Sequence, residues 1–244
     1  MTSRERVNLA LHHQEPDRVP LDLGGGNVTS MHVSTVYRLR QALGLDPPGT
    51  PVKVIEPCQM LGEIQMDLID ALGVDVVALR GTTTVYVTGT DFGAQNGPLI
   101  SPAIYRELFQ PFHRRVNDWI HEHTTWKTFI HSCGSVFDLI PDFIAAGFDI
   151  LNPVQTSAAR MDPEVLKKKF GDRIIFWGGG VDTQKTLPFG TPDDVCRQVR
   201  ERLKTFGTGG GFVFAAVHNI QACTPVGNLL AMYDTVKECG KYPL

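Results

Sequence analysis

The sequence predicts an α/β fold in which parallel strands and helices alternate, with a segment missing near residues 84–91. Three observations predict it. In the second half, short apolar runs alternate with amphipathic helical patterns at roughly 30-residue spacing, the rhythm of βαβ units. Four times a small polar residue precedes a proline at the start of such a pattern: Ser101-Pro102, Asp162-Pro163, Thr191-Pro192 and Thr224-Pro225. A polar N-cap satisfies orphan N–H groups, and proline suits the first helical position. Third, residues 74–79 (VDVVAL) and 85–90 both read as strands with no helix between them. Parallel neighbours need a crossover of about a dozen residues, so something is absent there.

Taken in chain order, residues 19–23 (VPLDL) before Gly24-Gly25-Gly26 read as an opening strand, and residues 34–43 and 61–72 as helices. Strand-like stretches follow at 74–79 and 85–90. After Ser101, Ile104, Leu108, Phe112, Val116 and Ile120 recur every four residues and make one apolar face, which predicts a helix buried along that face. Pro111 should kink it. Residues 128–131, 148–152, 174–177 and 212–217 are short, apolar and bounded by glycine or polar residues, as buried parallel strands are. After Thr191, Val195, Val199, Leu203 and Phe206 give a further apolar face. The 244 residues suit a single (β/α)-barrel or two small domains, and the alternation favours one domain of which residues 1–50 form the opening segment.

Composition narrows the function. A net charge of −3 with no basic block argues against nucleic acid and anionic membrane as partners. No apolar run reaches the ~18 residues of a membrane span, and the N-terminus lacks a signal-peptide core. Five scattered cysteines (Cys58, Cys133, Cys196, Cys223, Cys239) fit a reducing cytoplasm better than a disulfide framework.

A parallel barrel carries its chemistry at the C-terminal ends of its strands. There the sequence places Asp91, His131 and Cys133, Asn152 and Gln155, Gly178 to Gly180 with Asp182, and His218, Asn219 and Gln221 with Cys223 just beyond. His131 and Cys133 are the sharpest pair. Residues i and i+2 at a strand end share a face, and zinc accepts both imidazole nitrogen and thiolate sulfur. A catalytic zinc uses three protein ligands and keeps one position open, so a third must come from another strand. His218 and Cys223 are the candidates. A buried cysteine beside a backbone-bonded histidine would look the same in sequence. The glycine triplets are not GxGxxG and read first as turns, although Gly178, Gly179 and Gly180 would also admit a ligand close to the backbone.

HSCGSVFDLIPDFIAAGFDILNPVQTSAARMDPEVLKKKFGDRIIFWGGGVDTQ, GGGFVFAAVHNIQACTP and the opening RERVNLALHHQEPDRVPLDLGG closely resemble the uroporphyrinogen decarboxylase-like superfamily, in its cobalamin-dependent methyltransferase branch. The resemblance covers residues 1 to about 84 and about 87 to 240. It implies a TIM (β/α)8-type barrel, here incomplete, because family members are longer and the third strand with its helices falls at the missing stretch. It implies zinc on His131 and Cys133, and alignment on Thr224-Pro225 puts the family's third ligand, a cysteine there, on His218. It implies methylcobalamin carried by a corrinoid partner protein and a small-molecule methyl acceptor, a thiol or a pterin. Asp91, Asn152 and Gln155 would position that acceptor, and Gly178 to Gly180 and Asn219 would lie against the cofactor. The family's decarboxylases hold their substrate's carboxylates with an arginine-rich loop. The matching residues 21–29 contain no arginine, which speaks against that activity. Two other expectations are a metal-free decarboxylase using Asp91 or Asp22 as its acid–base group, and an inactive truncated barrel.

Overall fold

A computed structural model describes residues 1–76 and 85–244. Helix α1 (Ser3–Ala10) starts at a capping box between Thr2 and Glu5, and α2 (Val33–Ala42) follows the opening segment. Strands β1 (Val54–Glu56) and β2 (Leu61–Gly62) pair antiparallel, ahead of α3 (Met66–Leu72). The helix expected over 61–72 is therefore shorter than predicted. Its first two residues pair with β1, and a side chain at Gly62 would come within 3.0 Å of the Val33 backbone.

Five strands form one parallel sheet in sequence order: β3 (Val85–Gly89), β4 (Lys127–His131), β5 (Ile150–Asn152), β6 (Ile175–Trp177) and β7 (Phe212–Val213). The curve continues through isolated parallel bridges. Leu21 pairs with Phe214, and Asp22 pairs with Val76. Seven strand positions thus follow one another, and among the described residues nothing pairs Val76 with β3. Of the strand expected over 74–79, residues 77–79 lie outside the described residues, as do 80–84. The interruption expected near 84–91 is narrower on its C-terminal side, since residues 85–89 are strand β3 in register with β4.

Helices link the strands: α4 (Pro102–Leu108), α5 (Gln110–His123), α6 (Ile140–Ala145), α7 (Pro163–Phe170), α8 (Thr186–Phe189), α9 (Pro192–Arg202) and α10 (Val226–Cys239). Ser101, Asp162 and Thr191 each accept the N-cap bond predicted for them. The fourth motif is shifted by one residue: Pro225 itself is the N-cap of α10 and makes no side-chain cap. Pro111 does not kink a single helix. The chain breaks at Phe109 and restarts with Pro111 in the first turn of α5, where its missing N–H costs nothing.

Strand side chains alternate between two cores. Phe129, Ile150, Ile175, Trp177, Val213 and Ala215 point into the barrel, where Ala10 and Leu11 from the end of α1 join them. Ile130, Leu151, Phe176, Phe212 and Phe214 point outward under the helices, together with Val195, Val199, Leu203 and Phe206. The apolar face predicted for 104–120 behaves differently. Ile120 is buried, but Ile104, Leu108, Phe112 and Val116 are exposed, and the inward face of α4 and α5 is made by Tyr105, Asn117 and Ile120. Among the described residues no helix is long and apolar enough to cross a membrane.

Candidate functional site

His131 ends β4 two residues after the inward Phe129, so the pleat aims its ring into the barrel mouth. Asn152 ends the neighbouring strand opposite it in register. The Asn152 Nδ2 amide donates to the Trp177 carbonyl at 2.9 Å, which leaves Oδ1 facing His131 Nδ1 at 2.6 Å. An amide oxygen only accepts, so Nδ1 carries the ring proton. Nε2 is the ring nitrogen turned toward the site, and it lies 3.6 Å from Cys133 Sγ.

Cys133 is held by its backbone, whose N–H donates to Asp91 Oδ1 at 2.8 Å. The next N–H, of Gly134, donates to Gln155 Oε1 at 2.8 Å. Gly134 has φ +86° and lies back to back with Gly93, where any side chain would collide with backbone atoms. Two glycines therefore let the Asp91 loop approach the Cys133 loop. Burial, and then the Asp91 carboxylate, push the Cys133 thiol up to about 12. A cation at the sulfur would reverse that balance.

His218 reaches the same mouth from beyond β7. Its ring centroid lies 6.1 Å from that of His131. Burial, and then the neighbouring His131, hold its imidazole below the usual histidine value, so it is neutral near pH 7. One ligand atom from each of His131, Cys133 and His218 falls within 4.8 Å of the others, and all three residues are half-buried. A tetrahedral zinc ion needs such donors about 3.3–3.6 Å apart. The His131–Cys133 separation already meets this, and the His218 donor lies within 4.8 Å of both. Two imidazoles and one sulfur are a zinc-type donor set, and they leave a fourth position for a small molecule.

The remaining predicted residues divide. Asp91 is exposed at the rim, and Gln155 also donates from Nε2 to Gln95 Oε1 at 3.0 Å. Asn152 is fully buried with both ends of its amide engaged by protein. Gly178, Gly179 and Gly180 are buried too, and what approaches them is the chain itself: a Cβ at Gly180 would sit 2.3 Å from the Phe214 ring. Asn219 is buried and joins three segments. It accepts from Ser30 N–H at 2.7 Å and donates to the Asn27 carbonyl and Gln59 Oε1 at 2.7 and 2.8 Å. Cys223 is exposed and falls outside the three-donor group.

Below His218 lies a cavity of about 10 Å³, the room one water needs, lined in part by Asp22, Thr29, His218 and Tyr233. Asp22 accepts from Trp177 Nε1 at 2.8 Å and from Gly25 N–H at 3.0 Å. Burial outweighs those bonds and raises its pKa to about 6. Sequence reasoning found Asp22 only as an alternative acid–base group and missed Thr29 and Tyr233. Tyr233 sits among Leu229, Met232 and Val236 in α10 and reads as core.

A family model for uroporphyrinogen decarboxylase (URO-D) matches residues 60–239, and the chain belongs to that family. Among solved structures it is similar to a methyltransferase from Methanosarcina mazei, at 17% identity and a TM-score of 0.50, over 96% of this chain and 64% of that one. That likeness is one of fold, and the chain spans 64% of the length of the protein it matches. No curated protein matches the chain by sequence.

Proposed function

We propose that the chain is a zinc-dependent methyltransferase that moves a methyl group from a corrinoid carried by a partner protein to a small thiol acceptor, with a reduced pterin as the other acceptor class. The observation that carries this reading is the convergence of His131, Cys133 and His218 within 4.8 Å. The methyltransferase named among its structural neighbours supports the reaction class. The arginine-free stretch 21–29 weighs against a polycarboxylate substrate.

In this reading the three side chains hold the metal. Zinc bound there would supply a Lewis acid that deprotonates a coordinated thiol near neutral pH. The protein's own residues do the rest. Asn152 fixes the His131 tautomer and ring angle, as partners of metal-bound histidines generally do. Asp91 accepts the Cys133 backbone N–H, and in this reading its exposed carboxylate at the rim takes up the acceptor's proton. Gln155 braces the loop that turns away from the sulfur.

Metal analysis of the purified protein tests the site: one zinc per chain is expected, and none in a His131→Ala variant. Mixing the zinc form with methylated corrinoid and several thiols or a reduced pterin should then change the cobalt spectrum. A fully active metal-free enzyme would sink the reading.

A further inference from the structure

The two histidines of the site differ in what stands behind them. His131 gives its Nδ1–H to Asn152. Among the described residues no protein group hydrogen-bonds the His218 ring, which instead lines the cavity of about 10 Å³. The wall of that cavity is two-sided. Phe214 and Met232 lie on its apolar side, while Asp22, Thr29 and Tyr233 join His218 on its polar side. These polar residues are brought together from distant parts of the chain. Asp22 and Thr29 belong to the opening segment, His218 follows β7, and Tyr233 lies in α10.

Polar lining makes this a place for water and not a packing gap. A cavity of this size takes one water when two to four polar partners surround it, and stays dry when its wall is apolar. Asp22, Thr29 and Tyr233 are 4%, 6% and 1% exposed, so bulk water does not serve them. The Thr29 hydroxyl has no hydrogen-bond partner among the described residues, and a buried hydroxyl left unpaired is costly. Asp22 already accepts from Trp177 and Gly25. A carboxylate offers about four acceptor sites, so it can take a further O–H.

We propose that this cavity is a built site for one buried water, which Asp22, Thr29 and Tyr233 hold and which accepts the N–H of His218. The water thereby fixes the tautomer and angle of that ring, the part Asn152 plays for His131. The hydrogen bonds balance. The water gives one O–H to the Asp22 carboxylate and accepts from the imidazole N–H. The Thr29 and Tyr233 hydroxyls, each able to donate or accept, take its two remaining positions. A neutral imidazole has one N–H, so holding it on the cavity side leaves the other nitrogen free to bind a metal. Metal-bound histidines almost always have such a partner behind them. This consequence rests on the zinc reading of His131, Cys133 and His218, whereas the water site itself does not. Asp22, Thr29 and Tyr233 act through the water and the ring, and so are positioning residues.

The first test uses the full chain without metal. Its crystal structure should show one water within hydrogen-bond distance of Thr29 Oγ1, Tyr233 Oη and a His218 ring nitrogen. Proton–nitrogen NMR spectra of the ring should show His218 as a single neutral tautomer, protonated toward the cavity. Thr29→Val keeps the shape and removes the hydroxyl, and should leave His218 a mixture of tautomers. Thr29→Ser should restore the native spectrum, and the His131 signals should not move in either variant. Tyr233→Phe repeats the test from the other wall, with circular dichroism melting to confirm the fold. The second test is zinc titration, in which Thr29→Val and Tyr233→Phe should bind about tenfold more weakly than the native chain and Thr29→Ser should match it. A native chain that binds no zinc would remove the zinc reading and leave the crystal structure and the tautomer to decide the water site. A dry cavity, two His218 tautomers in the native chain, or a native spectrum in Thr29→Val overturns the proposal. An altered spectrum with unchanged zinc affinity overturns its role at the metal.

Discussion

The amide of Asn152 faces two ways, and each direction fixes a proton: its nitrogen is committed to the Trp177 carbonyl, so its oxygen must take the Nδ1–H of His131. That logic was half legible. His131 and Cys133 stood out in sequence because a strand end puts i and i+2 on one face, and Asn152 was recognisable as polar at the next strand end. Its orienting contact was not, since register between strands is a tertiary property. His218 entered through alignment of Thr224-Pro225, not through any local pattern. Asp22 was visible as an acid in an apolar strand, but nothing near it in sequence announces Trp177 as its donor. Asp22 also gives a pH signature. Its folded pKa of about 6 lies above the unfolded value near 4, so the native state binds more protons in that window. Stability from this group is therefore greatest below pH 4 and falls as the pH rises to 6. Asp22→Asn removes that slope and keeps an oxygen for Trp177. Urea midpoints should show the variant more stable at pH 7 by about 1–2 kcal/mol, with the gain vanishing at pH 4.

Elements were easiest to read where side chain and backbone are neighbours in sequence. Ser101, Asp162 and Thr191 cap helices as predicted, because the cap bond spans three residues. The α4–α5 break at Phe109 follows from the same local rule, applied to a proline that restarts a helix instead of bending one. The helix expected over 61–72 failed at its start because β1, a non-local partner, competes for Leu61 and Gly62. Sheet position also sets local stability. β5 and β6 have neighbours on both sides, while β3 has one among the described residues. Hydrogen exchange should therefore release the amides of β3 well before those of β5 and β6. Equal protection across the three strands would contradict this.

For the molecule as a whole, the repeat pattern revealed the class of fold and the place of the interruption, but not its consequence. An apolar face every fourth residue says that something should cover it, and it cannot say whether the covering element is in the same chain. In α4 and α5 it is not among the described residues, so Ile104, Leu108, Phe112 and Val116 are exposed.

β4 to β7 are four strands with no break between them, and the three donors stand at the two ends of that run. The edge left unpaired among the described residues lies outside it, at β3. A cassette of this kind can shed or exchange material at that edge while the distance from residue 131 to residue 218 stays set by strands the loss never touches.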